Sequence, residues 1–272
     1  MWPTDTPIGV LDQNFDQSTR LDSFAHTNTL LYLSQARPAI CLHFWAVQNT
    51  VILGMQDLKL PDLAAGLSSL HEAGYAYFVR NSGGLGVISD AQVLNVSLFL
   101  PNALNLTIDA AYQMMTDFIV ASFGQEQSIA HFEIADSYCP GSYDLSINGQ
   151  KFAGIAQRRT KNGLVVMLYL SVSGDQAARG QTMATFYRRG LAQNQDKFAF
   201  PTVNPDSMAN LDDLLHRPLT LSLVKQTLLN TLAQQGLSVD TQILPTLLAT
   251  PAYQTRYQTE LNQLQQRNQL LL

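Results

Sequence analysis

Tyr143-Asp-Leu-Ser-Ile-Asn-Gly-Gln-Lys-Phe-Ala-Gly-Ile-Ala-Gln-Arg-Arg-Thr-Lys-Asn-Gly-Leu-Val-Val-Met-Leu-Tyr-Leu-Ser-Val172 carries the clearest architectural signal in this chain. Asn148-Gly149 and Asn162-Gly163 separate three extended runs at 143–147, 151–157 and 164–172. Asn-Gly supplies the positive φ angles of a tight turn, so the runs predict a three-stranded antiparallel meander. Along its middle strand, alternation puts Lys151, Ala153, Ile155 and Gln157 on one face and Phe152, Gly154, Ala156 and Arg158 on the other.

Upstream, residues 107–123 read as an amphipathic helix, with Ala111, Met114, Met115, Phe118 and Ile119 on or near one face and Gly124 at its end. Strands are expected at 94–100, 75–79, 50–53 and 38–46, the last alternating Ile40, Leu42 and Phe44 with Cys41, His43 and Trp45. Helices are expected at 61–74 and 23–35. Near residue 200 the texture changes. Pro201, Pro205, Pro218, Pro245 and Pro251 punctuate helical stretches, one starting near Ser222 and one capped by Thr250. The expectation is an α+β core over 1–200 and a helical C-terminal segment over 201–272 packed on it.

Composition narrows the function classes. With 46% hydrophobic and 14% charged residues, the chain is able to bury a sizeable core. A formal charge of -5 argues against gripping nucleic acid. Residues 1–20 hold Asp5, Asp12 and Asp16 and no long apolar run, and no stretch is long enough to span a bilayer. The expectation is a soluble cytoplasmic protein. Cys41 and Cys139 do not suggest a disulfide framework, and the scattered histidines do not suggest a metal site.

Three segments have chemical potential. In Arg80-Asn-Ser-Gly-Gly-Leu-Gly-Val-Ile-Ser-Asp90, glycines let backbone N–H groups approach a ligand; the same glycines also suit a plain turn between strands. Cys139, followed by Pro140-Gly141, is a loop thiol within reach of a substrate, or an ordinary loop cysteine. Lys151 is either a solvated edge lysine or a cation in a pocket, where a developing oxyanion would feel it strongly. Cys41, within an apolar strand, reads as a buried small hydrophobe.

Taken in order, these segments resemble the biotin/lipoate ligase and lipoyl (octanoyl) transferase family. The family's Arg, Ser-Gly-Gly-Gly and Asp pattern is matched by Arg80, Ser82, Gly83, Gly84 and Asp90, with Asn95 in the following strand. Its Gly-x-Lys-x-x-Gly-x-Ala/Ser-Gln is matched by Gly149, Lys151, Gly154, Ala156 and Gln157. Thr50-Val-Ile-Leu-Gly-Met-Gln-Asp57 is similar to a further family strand and turn. Cys139 and the residues after it look like the cysteine-dependent amidotransferase branch. Leu85 stands where the family has a third glycine and Ser89 where many relatives have His, departures expected to narrow the loop channel and to remove a polar contact.

The resemblance implies a mixed, largely antiparallel sheet packed with helices. It implies an acyltransferase with Cys139 and Lys151 as catalytic residues and Arg80, Ser82, Gly83, Gly84, Asn95, Gly154 and Gln157 around the substrate. No cofactor is implied, since the octanoyl or lipoyl group is substrate. The implied partners are the acyl-carrying H protein of glycine cleavage and the lipoyl domains of 2-oxoacid dehydrogenases. Acyl carrier protein is an alternative donor, and an ATP-dependent ligase and a non-catalytic acyl-binding protein are alternative functions. Arg158, Arg159 and Lys161 read as a solvated hairpin tip or a docking patch.

Overall fold

The computed structural model describes residues 7–34, 40–101, 103–192 and 200–271. Gln35 and Pro38-Ala39, expected at a helix end and a strand start, lie outside the described residues. The strands are β1 (Ile8–Phe15), β2 (Cys41–Val47), β3 (Thr50–Leu53), β4 (Ala76–Val79), β5 (Val87–Ser89), β6 (Val93–Leu100), β7 (Ala130–His131), β8 (Asp144–Ile147), β9 (Gln150–Thr160), β10 (Gly163–Ser171) and β11 (Val239–Asp240). The helices are α1 (Asp22–Leu33), α2 (Leu63–Glu72), α3 (Ile108–Phe123), α4 (Gln176–Leu191), α5 (Leu211–Leu214), α6 (Leu221–Gln234), α7 (Ile243–Leu248) and α8 (Pro251–Asn268).

Among the described residues the larger sheet runs β11-β1-β2-β6-β10-β9-β8-β7 and the smaller β4-β3-β5. The larger sheet is parallel where β1 meets β2 and β11, and antiparallel from β2 to β7. One of its faces, carrying Leu42, Phe44, Leu94, Val96, Leu98, Val166 and Leu168, packs on Phe118 and Ile119 of α3 and Val224 and Leu228 of α6. This is the main core. On the opposite face, Phe15 and Trp45 meet Phe24 of α1, Ile52 and Phe78 of the smaller sheet and Leu264 of α8. The far side of the smaller sheet, through Val51, Leu53 and Val79, packs on Leu67 and Leu70 of α2 and Met183 and Phe186 of α4. The smaller sheet therefore lies over the larger one, and the space between them holds the site.

The meander forms, with two changes of detail. Asn148 (φ 52) and Gly149 (φ 82) make the first turn, joining Ile147 to Gln150. The second turn is one residue earlier than the Asn-Gly pair implies: Thr160 pairs with Gly163, so Lys161 and Asn162 form the corner. Gly163 serves packing instead, since a Cβ there would lie 2.9 Å from the Cβ of Ser34.

The second change is a β-bulge. Asp144 pairs with Gly154 and Leu145 with Ala153, but Ser146 pairs with Lys151, leaving Phe152 as the extra residue. Strict alternation is therefore broken. Phe152 and Ala153 both enter the main core, and Gly154 faces the Lys151 side, contrary to the alternation read from sequence.

β1, β5, β7, β11, α4, α5 and α7 are not among the elements expected from sequence. The 16-residue α4 is capped by Asp175, which accepts from the Ala178 N–H, and places Arg188 and Arg189 at the negative end of its dipole. Its mix of small and charged residues gives a weak amphipathic pattern.

Candidate active site

A single row of paired residues crosses five strands of the larger sheet. Trp45 pairs with Asn95, Asn95 with Tyr169, Tyr169 with Gly154, and Gly154 with Asp144. All five line a cavity of about 370 Å³. Its roof comes from Ile52, Val87 and the loop 80–84. At one end stand Trp45 and Phe24, edge to face at 5.8 Å, with the Trp45 indole donating to Ser97 Oγ. At the other end stand Cys139, Asp144 and Lys151.

Cys139 occupies the left-handed region (φ 49), a strained conformation for a residue with a Cβ and one that turns the chain sharply between buried Tyr138 and Pro140. Its Sγ lies 4.0 Å from where a Cβ on Gly84 would be, so the thiol faces the glycine loop. Lys151 holds this turn in place. Its Nζ donates to the carbonyls of Cys139 (2.9 Å) and Tyr138 (3.1 Å) and to Ser137 Oγ (2.9 Å), and pairs with Asp144 Oδ1 at 3.0 Å. The ammonium has three protons for four acceptors, so its bonds are shared. The bulge is what aims Lys151 at this turn. Burial raises the Asp144 carboxyl, opposed by the Lys151 cation and by the N–H groups of Gly141 and Ile134. The lysine is buried and paired, not a solvated edge residue.

Gly84 has φ +84, and a Cβ on Gly54 would lie 2.0 Å from the Gly84 carbonyl, so the loop rests directly on the turn after β3. Arg80 braces the loop from inside. Its guanidinium donates to the carbonyls of Ile52, Gly83 and Leu85 while lining the cavity. Beneath, Asp57 accepts from the Gly54 N–H (2.7 Å) and from the Tyr187 hydroxyl (3.0 Å), while the Gly86 N–H donates to the same hydroxyl. Burial pushes the Asp57 carboxyl up to about 6.

Asn95 is 4% exposed, and its Nδ2 has no protein partner although it lines the cavity. A buried amide donor in this position is available to a substrate atom. Gln157 lies at the cavity edge, donating to the Ile108 carbonyl and accepting from Arg159.

All nine residues singled out from sequence line this one cavity: Arg80, Ser82, Gly83, Gly84, Asn95, Cys139, Lys151, Gly154 and Gln157. The expected departures play out differently. Leu85 packs into the core beneath the smaller sheet and is not among the cavity residues, so it does not narrow the channel. Ser89 is fully buried away from the cavity. Of the basic cluster, Arg158 binds Asn28 and Asn81 and Arg159 binds the carbonyls of Leu106 and Thr107, which leaves Lys161 exposed. Cys41 is buried in the core.

Asp57, Asp144, Trp45, Tyr138 and Tyr169 join the site without a role expected from sequence. For Asp57 and Asp144, an acidic residue close to a glycine turn is the one local signal. Tyr138 and Tyr169 gave none, because their hydroxyls meet at 2.8 Å only through the fold.

The family model described as the lipoyl protein ligase A/B catalytic domain matches residues 20–233. The chain is 41% identical over 236 residues to an octanoyl-[GcvH]:protein N-octanoyltransferase from Exiguobacterium sibiricum, covering 85% of this chain and 86% of that protein. It is 43% identical over 215 residues to a lipoyl-[GcvH]:protein N-lipoyltransferase from Listeria monocytogenes, covering 78% and 77%. Among solved structures, a lipoate-protein ligase A bound with ATP superposes with a TM-score of 0.69 over 95% of both chains at 17% identity, a likeness of fold.

Proposed function

The chain belongs to the lipoyl protein ligase A/B catalytic domain family, and from that premise we propose that it moves an octanoyl or lipoyl group from the H protein to a lysine of lipoyl domains through a thioester on Cys139. The observation that carries this reading is the placement of a strained, part-exposed thiol at one end of a mostly apolar cavity, on a turn held by a buried lysine. The names of the relatives support the donor class.

In the first step the Cys139 sulfur attacks the acyl carbonyl carbon of the donor's amide. The C–N bond breaks, and the donor lysine amine leaves with the proton given up by the Cys139 thiol. In the second step an unprotonated acceptor lysine attacks the thioester carbonyl, the C–S bond breaks, and the nitrogen's surplus proton returns to the sulfur. One amide replaces another, so no nucleotide is consumed. Sulfur suits both halves as a strong nucleophile and a good leaving group.

Lys151 acts in two ways. Its bonds fix the backbone that aims Cys139, and its charge lies where the oxyanion forms. The oxyanion takes over one of the shared N–H groups. The aliphatic chain lies along the row toward Trp45. At about 0.8 kcal/mol per buried CH₂, an eight-carbon chain supplies much of the binding. Among the described residues no helix is long and apolar enough to cross a membrane. We place the exchange in the cytoplasm, where reducing conditions keep a nucleophilic thiol available.

The test is transfer from octanoyl H protein to a lipoyl domain without ATP, run beside octanoyl acyl carrier protein as donor. Transfer from the H protein that is lost in Cys139→Ser supports the reading. Transfer that needs ATP and survives Cys139→Ala makes the protein a ligase.

A further inference from the structure

Tyr143 lies four residues past Cys139, and its ring stacks with two others. Tyr112 of α3 lies parallel to it at 4.4 Å between centroids, and His131 of β7 lies parallel to it at 5.4 Å. The Tyr143 hydroxyl donates to Asp109 Oδ1 at 3.3 Å, and Asp109 sits exposed in the first turn of α3. The stack is continuous with the cavity, because Tyr112 lines it together with Gly141 and Gln157. It is flanked by two of the most exposed large apolar side chains, Ile108 at 59% and Phe132 at 47%. None of these residues has a part in fixing Cys139 or bracing the glycine loop. Single exposed apolar side chains need no explanation, but an aromatic stack with apolar flanks at the mouth of a cavity marks an interaction surface.

We propose that this rim is the docking surface for the lysine-bearing tip of the protein substrate, with Tyr143 and Asp109 as the residues that receive the lysine. The inference rests on the reading of the site as a protein acyltransferase. The acyl group leaves on the acceptor's free lysine, so the tip of the acceptor lipoyl domain has to meet the cavity mouth, and the rim beside Tyr112 is part of that mouth. A lysine stem is aliphatic and its head cationic, which matches aromatic walls ending in a carboxylate. Asp109 is held toward the stack by the Tyr143 hydroxyl, which gives the ammonium a fixed anionic partner before it loses its proton.

The test compares wild type, Tyr143→Ala and Asp109→Asn in two assays. The first loads Cys139 from a small octanoyl thioester, where no protein lysine takes part. The second measures steady-state transfer from octanoyl H protein to a lipoyl domain. The expected result is unchanged loading in both variants and a KM for the lipoyl domain raised at least about tenfold, with kcat changed less than about threefold. Asp109→Asn is a surface isostere, so it reads the effect even if Tyr143→Ala folds poorly. Equal KM values in wild type and Asp109→Asn would overturn the docking assignment while leaving the thioester reading intact. Failure of wild type to form any Cys139 adduct from either donor would overturn both.

Discussion

Lys151 Nζ and the carbonyl oxygen of Cys139 are 2.9 Å apart, so the lysine grips the backbone of the proposed nucleophile. The same ammonium pairs with Asp144, and both side chains are almost fully buried. The residue proposed to supply charge to the reaction is thus also the one that fixes the turn. Removing it strands a carboxylate and releases a turn held at positive φ.

Lys151→Met is therefore expected to lower acyl transfer by at least about 100-fold and to destabilise the protein by about 3 kcal/mol, the cost of leaving a buried charge unpaired. Adding Asp144→Asn removes that charge. The double variant should regain most of the stability in urea unfolding without regaining activity. If activity returns along with stability, Lys151 is structural only.

Gly84→Ala forces a Cβ into a left-handed position and to within 2.9 Å of the Arg80 guanidinium. We expect a loss of about 1–2 kcal/mol of stability and a clear fall in transfer rate, since the loop that faces the thiol has to shift. Gly154→Ala is the contrast. Its Cβ would meet Lys151 and Asp144 at 3.5 Å, an ordinary contact, so stability should be nearly unchanged. Thermal melts of the two variants separate the cases.

The apolar end of the row makes a prediction about chain length. Trp45 closes the cavity against Phe24 and Ile52. Trp45→Ala should raise kcat/KM for decanoyl and dodecanoyl donors relative to octanoyl. The relative rates, measured by mass spectrometry of the acylated domain, would show no change if the chain lies elsewhere.

Asp57 supplies a pH signature. Its carboxyl sits at about 6 in the fold against an ordinary 3.8. Between those values the unfolded chain gives up its proton while the folded one keeps it, so stability falls as pH rises through that window. The loss reaches up to about 3 kcal/mol and is complete above the folded value. Unfolding of wild type and Asp57→Asn across pH 4 to 6.5 isolates this contribution. A difference between them that stays flat with pH would contradict it.

Local signals explain what could be read in advance. The meander, α3 and the Thr250-Pro251 start of α8 are written in turn residues, hydrophobic period and caps, and each formed. The glycine loop, Cys139 and Lys151 fell within recognisable spacings, and the fold collected them at one cavity. What escaped depends on contacts far apart in sequence. β1 becomes a strand because β2 and β11 flank it, and α4 is recruited by packing against the smaller sheet. The bulge at Phe152 leaves no mark in a single strand's pattern, because it is a relation between two strands. Arg80 lines the cavity as expected, but its bracing of the loop through the carbonyls of Gly83 and Leu85 has no local signal, because only the fold defines the loop's shape.

A covalent acyl enzyme on Cys139 is visible by intact mass spectrometry after mixing with octanoyl H protein. The expected result is a mass gain of one octanoyl group that hydroxylamine removes and that Cys139→Ser abolishes. Turnover by wild type with no such adduct, or an adduct of equal amount in Cys139→Ser, would contradict it.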